Sequence, residues 1–137
     1  MFAISARSTY GLTALFEMGL NYNKGSIQIK DIASGHGIPQ HYLEQLLVSL
    51  KKAGFVESFR GSQGGYALAK HPGLIKVLDI LICLDGRLEL VPEGKRDGVL
   101  NFFWTSLEGQ ISNLFDMSLE ELILQQQSFD RQLNYHI

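Results

Sequence analysis

One cysteine, Cys83, in 137 residues rules out an internal disulfide, so a cytoplasmic setting is expected. No run of eighteen apolar residues is present to span a bilayer, and Met1-Phe2-Ala3-Ile4 lacks the basic start and cleavage site of a signal peptide. No membrane partner is therefore expected. Phosphate-cradling motifs are missing as well. The glycines at 61, 64 and 65 match neither G-x-x-x-x-G-K-[ST] nor G-x-G-x-x-G, and no nucleophile stands beside a base in a recognisable motif. An enzyme reading has little support. There is no internal repeat and no low-complexity segment.

A basic surplus is also lacking, since the net charge is -2. Its distribution matters more than its sum. Residues 1–80 hold eight Lys/Arg against five Asp/Glu, whereas residues 81–137 hold four against nine. Phosphate neutralisation needs local positive charge, which the first part of the chain carries. At 45% apolar and 19% charged, the chain reads as one soluble globular domain, or one domain with an appendage, long enough to bury a core.

The most informative stretch runs from Pro39 to Tyr66. Pro39 suits a first helical turn, Ala53-Gly54 supplies a stop, and Lys51 and Lys52 favour the negative end of the helix dipole. Leu43, Leu46, Leu47 and Leu50 recur at helical spacing as one apolar stripe. His41, Gln45, Val48 and Lys52 lie opposite, flanked by Gln40, Glu44 and Lys51. That pattern fits an ordinary solvated surface helix, and it equally fits a helix whose amide and carboxylate groups read base edges in a major groove.

The next residues tilt the choice. Phe55 to Phe59 alternates apolar and polar as a half-buried strand does, with Tyr66-Ala67-Leu68 as its returning partner. The intervening Arg60-Gly61-Ser62-Gln63-Gly64-Gly65 combines three glycines with a single guanidinium, which suits a narrow, electronegative minor groove. A solvated hairpin with an incidental arginine is the plainer alternative. Lys30 to Ser34 reads as a brief helix and Gly35-His36-Gly37 as the turn into Pro39, so the two helices make a helix-turn-helix with a wing behind it.

The run IPQHYLEQLLVSLKKAGFVESFRGSQGGYALAKHP resembles the signature of the bacterial Rrf-two regulator family, the one that contains IscR, NsrR and CymR. The match is almost residue for residue from Tyr42 to Ala69. It extends more weakly from Ser5-Ala6-Arg7-Ser8-Thr9-Tyr10 to Leu119-Glu120-Glu121-Leu122. The resemblance implies a homodimeric, winged-helix regulator of transcription. It also implies that the N-terminal segment of the first helix touches DNA backbone, a role that falls here to Ser5, Arg7 and Ser8; simple capping and surface roles are the alternative. Many relatives hold an iron–sulfur cluster through three cysteines in the loop before the dimer helix. Here that loop, about Arg87 to Gly98, has neither Cys nor His, so no cofactor is expected, and a small-molecule or protein effector stays open as the signal.

The other segments follow in order. Residues 5–22 read as a first helix with Ser5 as N-cap and Tyr10, Ala14, Leu15 and Met18 inward. Ile27-Gln28-Ile29 reads as a short strand beside the wing. His36, alone in a turn, is polar filler rather than a metal ligand, and no metal site is expected. Leu74 to Leu84 reads as a helix with Ile75, Leu78 and Ile82 inward and Cys83 as a small buried hydrophobe. Leu88 to Val91 reads as an extended piece. Val99 to Phe115 carries Leu100, Phe103, Trp104, Leu107, Ile111 and Leu114 at steps of three and four, a helix whose apolar face so small a monomer cannot cover. A helix-to-helix dimer seam is the inference. Ser118-Leu119-Glu120-Glu121 resembles a capping box opening a last helix through about Arg131, anchored by Leu119, Leu122 and Ile123, with the polar end from Gln125 to Ile137 expected to fray.

The fold expected is mainly α with a small β-wing. Residues 1–85 form a winged helix-turn-helix DNA-binding domain, 86–98 a linker loop, and 99–137 the dimerisation helix and C-terminal helix. Gln40, His41, Glu44 and Gln45 are the candidates for base edges and Arg60 for the minor groove. Lys51, Lys52, Gly61 and Ser62 would approach backbone; Tyr42 either donates to a phosphate or packs beside its helix. Double-stranded DNA is the expected partner. The rival is a winged-helix protein-interaction module that does not read DNA.

Overall fold

A computed structural model describes residues 3–62, 64–92, 95 and 97–135. Six helices and one hairpin follow in order: α1 (Ala6–Leu20), α2 (Ile29–His36), α3 (Gln40–Lys52), β1 (Val56–Phe59), β2 (Gly65–Leu68), a 3-10 turn (Pro72–Leu74), α4 (Val77–Asp85), α5 (Asn101–Leu114) and α6 (Leu119–Tyr135). The expected class, mainly α with a β-wing, is what the chain adopts.

The apolar stripes decide the packing. On α3, Leu43, Leu46, Leu47 and Leu50 are all buried, as their spacing predicts. Each such side chain withdrawn from water contributes on the order of 1.5–3 kcal/mol. Ala14, Leu15 and Met18 of α1 meet them in the same core, while Tyr10 is only half-buried at its edge. Two glycines on α1 let its neighbours approach closely: a Cβ on Gly11 would collide with Leu84 of α4, and one on Gly19 would lie 2.5 Å from Ile123 Cδ1 of α6.

Turn chemistry joins the helices. The α2 helix ends at Gly37, whose φ of 64° is left-handed, and Pro39 then occupies the N-cap of α3. Strands β1 and β2 pair antiparallel, Val56 opposite Leu68 and Phe59 opposite Gly65. The expected strand at 27–29 reduces to a single bridge, in which Ile27 and Tyr66 exchange two backbone hydrogen bonds of 2.8 Å. Ile29 already belongs to α2.

Three expectations need correction. The expected helix from Leu74 is broken, because Ile75 and Lys76 are extended and pair with the start of α6: Val77 N donates to Met117 O at 2.9 Å and Leu119 N to Ile75 O at 2.8 Å. The helix restarts at Val77, so its inward face is Val77, Ile80 and Leu84; Leu78 is half-buried and Ile82 is exposed. Leu88 to Val91 forms no strand; Leu90 N instead donates to the buried Glu108 Oε1 at 2.9 Å, tying the loop to α5. The α6 helix, expected to end about Arg131 and to fray from Gln125, runs to Tyr135, with Gln126 Nε2 donating to Asp130 at 3.1 Å along its surface.

The α6 helix packs on the body through its start. Ser118 Oγ accepts from Glu121 N at 3.0 Å, the cap read from sequence, and this places Leu119 and Ile123 in the core with α1. Among the described elements, α5 is the one without extensive packing against another. Among the described residues, no helix is long and apolar enough to cross a membrane.

Candidate nucleic-acid interface

With its leucines turned inward, α3 must present its polar face to solvent. Gln40, His41 and Gln45 are exposed, Glu44 half so, and all four project from the first two turns. Their side chains partner one another along the helix: Gln40 Nε2 donates to Glu44 Oε1 at 3.4 Å, and Gln45 Nε2 lies 3.4 Å from His41 Nε2. His41 Nδ1 is 3.8 Å from Glu44 Oε2. These are long, solvent-facing contacts of small worth, easily exchanged for contacts to a ligand. Val48 shares the face and is 47% exposed. Sequence reasoning placed it there but gave it no role, although an exposed branched methyl group matches the C5-methyl of thymine.

The wing stands beside the start of α3. Gln40 and Glu44 line one concavity with Ser58, Arg60, Gly61 and Gly65 of the hairpin, and Gln28 and Lys30 from the start of α2 complete it. Arg60, Gly61 and Ser62 are exposed at the hairpin tip, where Gly61 has φ +92°. Gln63 lies outside the described residues. Gly65 is the tight point of the wing: it combines φ +147° with the backbone of Ile27 directly over its Cα. Only glycine fits there, which is how the wing is held against the α2 entrance. Lys30 is a cation that sequence reasoning passed over; its signal was the bridge of Ile27 to the wing.

Most of the remaining candidates have protein partners. Lys51 Nζ donates to Ser58 Oγ at 2.5 Å, bracing β1 against α3, while Lys52 is exposed. Tyr42 packs edge-on to Tyr10 with ring centroids 5.8 Å apart, the packing alternative of the two open to it. Ser5 caps α1 by accepting from Ser8 N at 3.3 Å and donates its own proton to Asp85 Oδ2 at 2.6 Å. Ser8 donates to the same Asp85 oxygen, and Arg7 Nε donates to Leu84 O at 3.1 Å. Partial burial pushes the Asp85 carboxyl up, but the Ser5 and Ser8 bonds with the Arg7 charge outweigh it and hold it below the usual aspartate range.

The supposed dimer face divides. Leu100, Phe103 and Leu114 are exposed, while Trp104, Leu107 and Ile111 are already partly covered within the chain. Leu100 is the N-cap of α5 rather than part of the helix. Phe102, absent from the sequence-based set, is 84% exposed. Cys83 is half-buried in α4, and burial pushes its thiol up, against a smaller opposing pull from Arg7. His36 Nε2 lies 2.9 Å from Glu17 Oε1. Among the described residues, no three His, Cys, Asp or Glu converge as metal ligands would.

With this geometry in view, comparison with known proteins is direct. The family described as "Rrf2: Iron-dependent Transcriptional regulator" matches residues 4–123. The HTH-type transcriptional regulator CymR of Bacillus subtilis (strain 168) is 40% identical over 88 residues, which make up 64% of this chain and 64% of that protein. The solved structure of CymR (YrzC), the global cysteine regulator of B. subtilis, superimposes with a TM-score of 0.76 at 32% identity, covering 90% of this chain and 97% of that one. T. potens IscR superimposes with a TM-score of 0.78 at 34% identity, covering 90% and 88%.

Proposed function

Because this chain belongs to the Rrf2 family of transcriptional regulators, we propose that it is a sequence-specific DNA-binding regulator acting as a homodimer on a pseudo-palindromic operator. The observation that carries the reading is the shared concavity in which Gln40 and Glu44 of α3 face Arg60 and Gly61 of the wing. A helix seated in a major groove there has its wing at the adjacent minor groove, so one body reads both. Base-edge contacts fall to Gln40, His41, Glu44, Gln45 and Val48. Lys52 and Ser62 take phosphates, with Lys51 held to Ser58 as a brace.

Two copies are needed to read a two-fold operator, with recognition helices about 34 Å apart. The exposed Phe102, Phe103 and Leu114 on α5, the element least packed against the body, support a seam there. The family's description carries iron dependence. This chain's residues do not fit an iron–sulfur cluster: its one cysteine sits in α4, and residues 86–98 contain neither Cys nor His. The signal is instead a small molecule or a protein partner.

The test is selection of fragmented host genomic DNA by the purified protein at near-physiological salt, followed by sequencing. Enrichment of one inverted repeat is expected. Uniform retention that vanishes as salt rises would leave only backbone attraction and refute sequence reading; salt-insensitive binding to a protein without preference among DNA sequences would favour the interaction-module alternative.

A further inference from the structure

The Ser5, Ser8 and Asp85 cluster has no part in reading bases, yet it joins two functional regions. Asp85 is the last residue of α4, and the 86–98 loop leaves from it towards α5. Its carboxylate takes hydrogen bonds from the hydroxyls of Ser5, the N-cap of α1, and Ser8 in its first turn, and the neighbouring Leu84 carbonyl takes one from Arg7. Leu84 also lies directly over Gly11, so the end of α4 and the start of α1 cross without space between them. Three residues beyond Arg7, Tyr10 meets Tyr42 edge-on, and Tyr42 belongs to the first turn of α3 between His41 and Leu43.

We propose that Asp85 is a positioning residue for the DNA-reading face, fixing the first turn of α1 and, through the Tyr10–Tyr42 contact, the start of α3. The proposal rests on the DNA-reading function above. Three hydrogen bonds and two packed contacts join the regions without a gap. Coupling through the joint is read directly at Tyr42.

Full-length protein carrying fluorotyrosine is compared by fluorine NMR as the natural chain, Asp85→Asn and Ser8→Ala, with Tyr42 assigned from Tyr42→Phe. Asp79→Asn, which neutralises an exposed acid at the other end of α4, is the control for charge. Both joint variants are expected to shift the Tyr42 resonance and the control to leave it in place. On the operator selected above, generic electrostatics predicts tighter binding when an acid is removed. Positioning predicts the reverse for Asp85→Asn: affinity reduced five-fold or more, and a slope of log affinity against log salt shallower by about 0.9, one phosphate contact. An unmoved Tyr42 resonance in both joint variants overturns the proposal whatever the affinity does, as does unchanged or tighter operator binding by Asp85→Asn. The NMR arm needs no DNA, so failure of the natural chain to enrich any sequence would count against the DNA-reading function and not against this joint. Ser8→Ala keeps the carboxylate and loses one hydroxyl, which preserves a folded variant if Asp85→Asn lowers stability.

Discussion

Replacing Gly65 by alanine separates backbone geometry from everything else the wing does. A Cβ at this position would sit 2.6 Å from the carbonyl carbon of Ile27, closer still to its oxygen, and 3.0 Å from Gln28 N. All three are backbone atoms, so no side chain can swing aside. Relief requires the wing to lift from residue 27, breaking the two 2.8 Å hydrogen bonds between Ile27 and Tyr66. Each is worth about 1 kcal/mol net. A side chain at φ +147° adds strain of about 1–3 kcal/mol. The sum, about 3–5 kcal/mol, lowers the thermal midpoint by roughly 10–20 °C for a domain of this size. Gly61→Ala is the comparison: φ there is +92°, but nothing lies within 4 Å of the added methyl. It should cost only the backbone term, about 1–2 kcal/mol. Thermal unfolding followed by circular dichroism, with operator affinity measured on the same samples, decides the matter. Equal midpoints for the two variants would refute the argument that close approach, rather than φ alone, demands glycine at 65.

Arg60→Ala should cost about 1–3 kcal/mol of specific operator binding, and unchanged affinity by fluorescence anisotropy would remove the wing from the account. Phe103→Ser, at a position half exposed in the single chain, should convert dimer to monomer by analytical ultracentrifugation while leaving the helical circular dichroism in place; a persistent dimer would put the seam elsewhere. The lowered acidity range of Asp85 contributes stability that is fully present above the ordinary aspartate pKa of about 4 and is lost as pH falls through the lower folded value. The stability gap between the natural chain and Asp85→Asn should therefore be constant near neutrality and close below about pH 4. Urea unfolding curves that keep the same separation down to about pH 2.5 would refute it.

How much of this was legible in the residues depended on whether the cause was local. The α3 stripe, its Lys-rich end and the glycine-rich hairpin follow from spacing and turn chemistry within thirty residues, and all three stand where expected. The face of α4 was misjudged because the backbone of Ile75 and Lys76 is recruited by residues 117–119, a pairing no periodicity announces. The joint at Asp85 was hidden for the same reason: Ser5 and Ser8 read as DNA-backbone contacts or as a cap and a surface serine until α4 brings a carboxylate 80 and 77 residues away in sequence against them. Tyr42 was the intermediate case. Its helical position was clear, but only the crossing of α1 decides that its ring meets Tyr10 rather than solvent.

The return of the chain at Met117 gives the excursion through α5 a property beyond folding. Residues 86–116 depart from Asp85 and rejoin the body where Met117 and Leu119 lock onto Val77 and Ile75, so both ends of the insert are pinned by bonds belonging to the winged-helix core. Apart from the dimer seam that α5 carries, exchanging the insert for one of another length costs the core the closure entropy of a tethered loop, about 0.6 kcal/mol per doubling. A chain built this way can acquire a new input by grafting a different cassette between two fixed sockets while its recognition helix and wing remain untouched.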